Sequence, residues 1–215
     1  MDLLLDYPAE LAKKLRSGAA DIALLPVAVI PTLTGARIIS DYGIAADGKV
    51  ASVCLFSQVP IEEIREVYLD YQSRTSVRLA QTLMEHHWLR EVIWKPAPEN
   101  YIEYINGATA GVIIGDRALK QLHNFEYVYD LAEHWKSYTG LPFIFAAWVA
   151  CRDLPEDFIT GFNEANASGL QHINEVVAEN PFPYYDLQHY YTRNIQYLLE
   201  TEKHKGLKRF WELIA

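Results

Sequence analysis

The chain has 215 residues, half of them hydrophobic, and it carries a formal charge of −9 at pH 7. A chain of this length can bury a substantial core, either as one large domain or as two small lobes. The acidic balance disfavours nucleic acid or an anionic membrane as the main partner. No apolar run reaches the ~20 residues that a membrane-spanning helix needs.

Cysteine usage and the start of the chain bear on the cellular compartment. The two cysteines have no CxxC spacing and are too few for a disulfide framework, which favours a reducing compartment. The acidic start lacks the long apolar stretch of a signal peptide. We therefore expect a cytoplasmic protein.

The first part of the chain predicts one helix followed by short strands. Residues 8–17 form the helix, which starts with proline, and Gly18 is the residue that ends it. Apolar runs at 20–25, 50–56 and 67–69 predict strands. The last of these strands leads directly into a polar turn.

That turn consists of Ser73, Arg74, Thr75 and Ser76, and it opens an amphipathic helix. The first N–H groups of a helix lack internal partners and carry partial positive charge, so a carboxylate can bind there. Hydroxyl and guanidinium groups add donors for an oxyanion. The alternative is an ordinary Ser/Thr cap at the start of the helix. The local pattern leaves both interpretations open.

The second half of the chain repeats the alternation of strands and helices. A nearly continuous apolar run at 110–114 predicts a strand buried on both faces. Gly115 and Asp116 follow it, and we expect Asp116 to cap a helix at 117–122. A further strand is predicted at 142–150, and the rest of the chain is predicted to be helical. The pattern indicates an α/β fold with mainly parallel strands.

Polar residues follow several of these predicted strands. In parallel α/β folds, ligands bind at the carboxyl ends of the strands. Besides the turn that begins at Ser73, we place Gly115, Asp116, Thr139 and Gly140 at such strand–loop junctions. Their convergence favours a binding site over isolated helix caps.

Other chemistry has weaker support in the sequence. His86 and His87 are adjacent, so on a helix they point about 100° apart and cannot easily share a metal. Ser52 is not part of a GxSxG elbow, which argues against a hydrolase triad. Its alternative role is a strand serine that bonds to backbone. Cys54 lies in an apolar strand and is expected to be an inert core thiol. We expect neither a metal nor another cofactor.

Taken together, these segments resemble the chorismate dehydratase family of the futalosine route to menaquinone. The resemblance covers essentially the whole chain and is carried by residues 15–26, 48–57, 73–76, 114–116 and 135–148. It implies a two-lobed fold similar to type II periplasmic binding proteins, with the ligand cleft between the lobes. We expect residues 1–57 and 144–215 to form lobe one and residues 58–143 to form lobe two.

The resemblance also implies roles for individual residues. Ser52 lies where the family has a serine implicated in catalysis, and the turn that starts at Ser73 lies where it holds a substrate carboxylate. The substrate would be chorismate, a small anion, and the reaction would be loss of water. Gly115 lies where the sister 1,4-dihydroxy-6-naphthoate synthases have an acting histidine, so glycine favours the dehydratase.

The resemblance departs from the family at one point and leaves one competing class open. The family begins with an additional strand, reading roughly Tyr-Leu-Asn, before the equivalent of Asp6; we expect this chain to lack it and to be less active. The competing interpretation is a non-catalytic protein of the same fold that binds an anionic solute. The sequence specifies neither the proton acceptor nor the oligomeric state.

Overall fold

The protein is described by a computed structural model that covers residues 2–6 and 8–215. Its strands form two sheets with helices packed against them. The strands are β1 (Ala23–Pro26), β2 (Arg37–Ala46), β3 (Val53–Ser57), β4 (Glu66–Leu69), β5 (Ile93–Pro96), β6 (Thr109–Ile114), β7 (Tyr127–Asp130), β8 (Phe143–Ala150) and β9 (Gln196–Leu198). The helices are α1 (Pro8–Ser17), α2 (Arg74–His86), α3 (Gly115–Gln121), α4 (Leu131–Thr139), α5 (Glu156–Leu170), α6 (Ile173–Glu179), α7 (Leu187–His189) and α8 (Thr201–Ile214). A π-helical turn, Tyr190–Asn194, joins α7 to β9.

The direction of strand pairing differs from the prediction. The first sheet has the order β1-β8-β2-β9, and all of its pairs are antiparallel. The second has the order β5-β4-β6-β3-β7, in which only β4 pairs in parallel, with β5 and β6. The prediction of mainly parallel strands was wrong because a continuous apolar run reports burial on both faces, not direction. β3 is buried throughout and is antiparallel to both of its neighbours.

The chain passes between the two sheets twice. The first passage lies between β2 and β3, so β3 belongs to the second sheet, although residues up to 57 were expected in lobe one. The second lies between β7 and β8, close to the predicted crossing at 143–144. Antiparallel hydrogen bonds to β6 and β7 are what place β3 in the second sheet. The division into two lobes stays a prediction.

One apolar core joins the two sheets. It includes Leu25 from the first sheet and Leu55 from the second. At its centre Trp135, Phe143 and Phe210 are fully buried, and their ring centroids lie 5.0–6.0 Å apart in edge-to-face contacts. Each such pair adds ~0.5–1.5 kcal/mol beyond its buried area. Helix α4, strand β8 and helix α8 therefore pack against one another through these three rings.

Several elements agree with the sequence, and four strands were missed: β2, β5, β7 and β9. Helix α1 ends before Gly18, which has a left-handed φ of 74°. Strand β2 was not predicted, because Asp41, Tyr42 and Gly43 interrupt its apolar pattern and its pairing register shifts there. Among the described residues, no helix combines the length and apolar character needed to cross a membrane.

Candidate functional site

Ser52 lies in a tight turn that precedes β3 rather than within a strand. The predicted strand began at residue 50, but β3 begins at Val53. Ala51 has a left-handed φ of 64°, which costs a residue with a side chain ~1–2 kcal/mol. The Ser52 N–H donates to the carbonyl of Val50, 2.8 Å away. The turn therefore needs compensation from its surroundings.

The buried carboxylate of Asp130 supplies that compensation. One of its oxygens accepts the N–H groups of Val50 and Ala51, at 3.0 and 2.6 Å. The other caps α4 by accepting the N–H groups of Ala132 and Glu133, at 3.1 and 3.2 Å. Burial raises the pKa of Asp130, while these backbone hydrogen bonds act in the opposite direction. One side chain thus fixes both the Ser52 turn and the start of α4.

Ser52 is almost enclosed by its neighbours, with 3% of its surface exposed. Its carbonyl accepts the N–H of Gly115 at 2.7 Å. Its hydroxyl oxygen accepts a hydrogen bond from the Tyr190 hydroxyl at 2.8 Å. The structure therefore brings together Ser52 and Gly115, two of the predicted site residues, and adds Tyr190, which was not among them.

Gly115 and Asp116 form the start of α3. Gly115 has a left-handed φ of 62°, and a Cβ built on it would meet no atom within 4 Å. The expected cap at Asp116 was wrong: the helix begins at Gly115, and Ile114 precedes it without a side-chain cap. Asp116 is exposed, and its charge adds to the effect of burial in raising the pKa of Tyr190. Asp116 is therefore not a helix cap, and its charge acts on Tyr190, the hydrogen-bond partner of Ser52.

The turn that begins at Ser73 caps α2, as one of its two interpretations predicted. The Ser73 hydroxyl accepts the N–H of Ser76 at 3.0 Å and donates to the Ser76 hydroxyl at 2.8 Å. The Thr75 hydroxyl accepts the N–H of Ala28 at 3.2 Å, which ties α2 to the segment after β1. Arg74 is exposed. Capping is thus confirmed, and anion binding at this turn stays a prediction.

A buried ion pair joins this turn to α3. The Asp70 side chain is fully buried and accepts two contacts from Arg117 Nη2, at 2.7 and 2.9 Å. It also accepts the Tyr101 hydroxyl at 2.9 Å and the Gln72 N–H at 2.7 Å, while Arg117 reaches the Gln72 side chain at 2.9 Å. Asp70 follows β4 and Arg117 lies just after β6, so the ion pair spans the carboxyl ends of two parallel strands.

This ion pair was not predicted, although its position carried a signal. Asp70 is the first residue after a strand, and Arg117 is two residues beyond Gly115. Burial, followed by the charge of Asp70, raises the pKa of Tyr101, which therefore stays a hydrogen-bond donor. The Arg117 side chain is 27% exposed and stays cationic. The guanidinium is therefore a positive group at the carboxyl ends of β4 and β6, where it can bind an anion.

Thr139 and Gly140 have a different environment. They end α4 and precede β8, so their expected place after a strand was wrong. Gly140 has a φ of 73°, and its N–H donates to the Lys136 carbonyl at 2.8 Å, which completes the last turn of the helix. The Thr139 hydroxyl bonds to the Trp135 carbonyl. At ~1.5 Å per residue they lie about 13 Å along α4 from the end that holds the Ser52 turn. Their role in binding stays a prediction.

Histidines and carboxylates do not cluster as metal ligands in the described part of the chain: no group of three or more is close enough. His87 pairs instead with His134, with ring nitrogens 3.3 Å apart. Burial lowers the pKa of both rings. The two rings also pack against Trp88, at centroid distances of 5.8 and 5.0 Å. This contact belongs to the packing between α2 and α4.

A cavity of about 450 Å³ lies elsewhere, between the first sheet and α5. Its lining is mostly apolar and includes Leu24, Ile44, Trp148 and Phe162. An apolar cavity suits a dianion poorly, because buried charge requires partners. The polar edge around Ser52 and Arg117 is therefore the better candidate site.

Comparison with known proteins gives one family and one fold. A family model described as menaquinone biosynthesis matches residues 1–215. The chorismate dehydratase of Thermus thermophilus is 29% identical over 235 residues, covering 97% of this chain and 84% of that protein.

Two solved structures show the fold alone. An Archaeoglobus fulgidus protein superposes with a TM-score of 0.69 at 15% identity, over 98% of this chain and 84% of its own. A Candida albicans protein, described as having the generic periplasmic binding protein fold, gives a TM-score of 0.53 at 11% identity, over 97% and 80% of the two chains.

Proposed function

The chain belongs to the menaquinone biosynthesis family, and we propose that it is a chorismate dehydratase. The reaction removes water from chorismate and leaves 3-[(1-carboxyvinyl)oxy]benzoate. The observation that carries the proposal is the backbone hydrogen bond from Gly115 to Ser52, which places the serine beside a glycine. The sister naphthoate synthases would have a histidine at that glycine, so the site suits the dehydratase better.

The elimination of water requires the protein to position the substrate more than to supply a reactive group of its own. A ring C–H bond breaks, its electron pair forms the new double bond, and the neighbouring C–O bond breaks to release hydroxide, which takes up a proton. The product ring is aromatic, so the step is downhill without a cofactor. The Ser52 hydroxyl would donate to the departing oxygen, an interaction that strengthens as charge develops there.

The substrate carboxylates need cationic and N–H partners. The start of α2 offers the backbone N–H groups of Arg74 and Thr75, which carry the positive end of the helix dipole. Arg117 is a second partner: Asp70 holds one edge of its guanidinium and leaves further N–H groups free to bind a carboxylate. These donors lie at the same edge of the second sheet as Ser52 and Gly115, where β4 and β6 end and β3 begins.

Access to Ser52 requires motion, since 3% of its surface is exposed. Folds of the periplasmic-binding-protein type open and close around their ligands by hinge motion. We expect chorismate to enter an opened form and the closed form to exclude water from the reaction. Thr75 would part from Ala28 on opening, because their hydrogen bond crosses between the sheets.

The place of the reaction in the cell is part of the same proposal. We assign the protein to the futalosine route and to the cytoplasm. Both cysteines are free, with Cys54 buried and Cys151 partly buried, as suits a reducing compartment. The acidic surface likewise favours a small-molecule substrate over nucleic acid.

Turnover and binding of chorismate test the proposal together. Loss of chorismate is followed by chromatography, and binding by calorimetry. Ser52→Ala should lower kcat by ~10²–10³, as loss of one transition-state donor does. Ser57→Ala is the matched control, because Ser57 lies at the other end of β3 and, among the described residues, its hydroxyl accepts only the Val59 N–H. Binding without any turnover would support the anion-binding alternative instead.

A further inference from the structure

The segment before β9 contains a backbone irregularity next to the Ser52 turn. Tyr190–Asn194 is a π-helical turn, in which the Ile195 N–H returns to the Tyr190 carbonyl at 3.0 Å. Such turns are rare and occur frequently at functional sites. This one turns the Tyr190 hydroxyl toward Ser52, 2.8 Å from its oxygen.

The π-turn is attached to the Ser52 loop at a second point. The buried Asn194 donates its side-chain amide to the Lys49 carbonyl at 3.0 Å. On the other side of the loop, Asp130 holds the N–H groups of Val50 and Ala51. Hydrogen bonds therefore hold both the π-turn that carries Tyr190 and the loop that carries Ser52, which fixes the position of the two hydroxyl oxygens.

The direction of this hydrogen bond determines where the serine proton points. A phenol is the stronger acid of the two hydroxyls, so Tyr190 donates and Ser52 accepts. Within the described residues, the Ser52 hydroxyl donates to no acceptor, so its hydrogen is available to a ligand. Burial raises the pKa of Tyr190, so the phenol keeps its proton and remains a donor at neutral pH.

We propose that Tyr190 is a positioning residue, which fixes the Ser52 hydroxyl so that its proton is directed to the substrate's departing oxygen. The proposal rests on the dehydratase function. Tyr190 acts through Ser52 and does not itself contact the reacting atoms. Removing its hydroxyl frees Ser52 to rotate, which lowers the rate of reaction but leaves substrate binding intact.

A double-mutant cycle with chorismate as substrate tests this role. The variants are Tyr190→Phe, Ser52→Ala and the double variant, with kcat, KM and melting temperature measured for each. Tyr190→Phe should lower kcat about tenfold and leave KM within about twofold. In the Ser52→Ala background the same change should have no further effect, because the group it positions is gone.

Tyr191→Phe is the matched control. It removes the same hydroxyl one residue along, and in the described structure that hydroxyl makes no hydrogen bond, although the two rings are in contact at 5.1 Å. It should keep wild-type kcat. The positioning role would be overturned if Tyr190→Phe lowered kcat equally in the wild-type and Ser52→Ala backgrounds. It would also be overturned if Tyr190→Phe and Tyr191→Phe lowered kcat equally. Wild-type protein that leaves chorismate unchanged would overturn the dehydratase function and this inference with it.

Discussion

Replacing Asp130 tests whether one buried carboxylate holds the Ser52 turn and α4 together. Asp130→Ala removes the cap of α4, which costs ~0.5–2 kcal/mol. It also leaves the N–H groups of Val50 and Ala51 buried without a partner, at ~1–3 kcal/mol each. Together these contributions predict that the free energy of unfolding falls by about 2.5–8 kcal/mol. Asp130→Asn keeps one acceptor oxygen, so it should cost about half as much.

The assay is urea unfolding at neutral pH with linear extrapolation to water. Asp116→Asn is the control, since that aspartate is exposed in the first turn of α3, where its charge contributes up to ~1 kcal/mol with the helix dipole. A loss below about 1 kcal/mol for Asp130→Ala would refute the reasoning, because the turn and the helix would then not depend on the carboxylate.

Three further predictions follow from the geometry. Burial lowers the pKa of His87 and His134, so the unfolded chain takes up protons first, and stability present above about pH 6.5 should be lost as the pH falls. Unfolding at neutral and acidic pH checks this, and His134→Gln should flatten the dependence. Arg117→Lys keeps a charge for Asp70 but loses the planar fork, so calorimetry should show about tenfold weaker chorismate binding; unchanged affinity would exclude Arg117 from the site. Gly115→Ala should cost ~1–2 kcal/mol in urea unfolding, from its positive φ alone, since a Cβ there has open space; no loss would contradict this.

The sequence predicted the elements whose signals are local. Helix α2 follows from the amphipathic pattern and the hydroxyl of Ser73, and the structure shows that hydroxyl in its capping bond. Strand β8 follows from its continuous apolar run. In each case the residues that determine the element lie within it or directly before it, so no knowledge of distant partners is needed.

The parts that were missed depend on residues far apart in the chain. Ser52 was placed in a strand because nothing local shows that Asp130, 78 positions later, binds the two N–H groups before it. The Asp70–Arg117 ion pair and the Tyr190–Ser52 contact likewise join segments separated by 47 and 138 positions. Pattern and periodicity do not encode such pairings, and only the folded chain brings them together.

Identification of the product of chorismate by proton NMR tests the central claim most directly. The dehydratase account predicts that the ring proton beside the ether and the ring hydroxyl are lost, that aromatic ring signals appear, and that the enolpyruvyl protons are retained. The Ser52→Ala protein, run in parallel, should give the same product far more slowly. Release of pyruvate, or a spectrum that stays that of bound chorismate, would contradict the account.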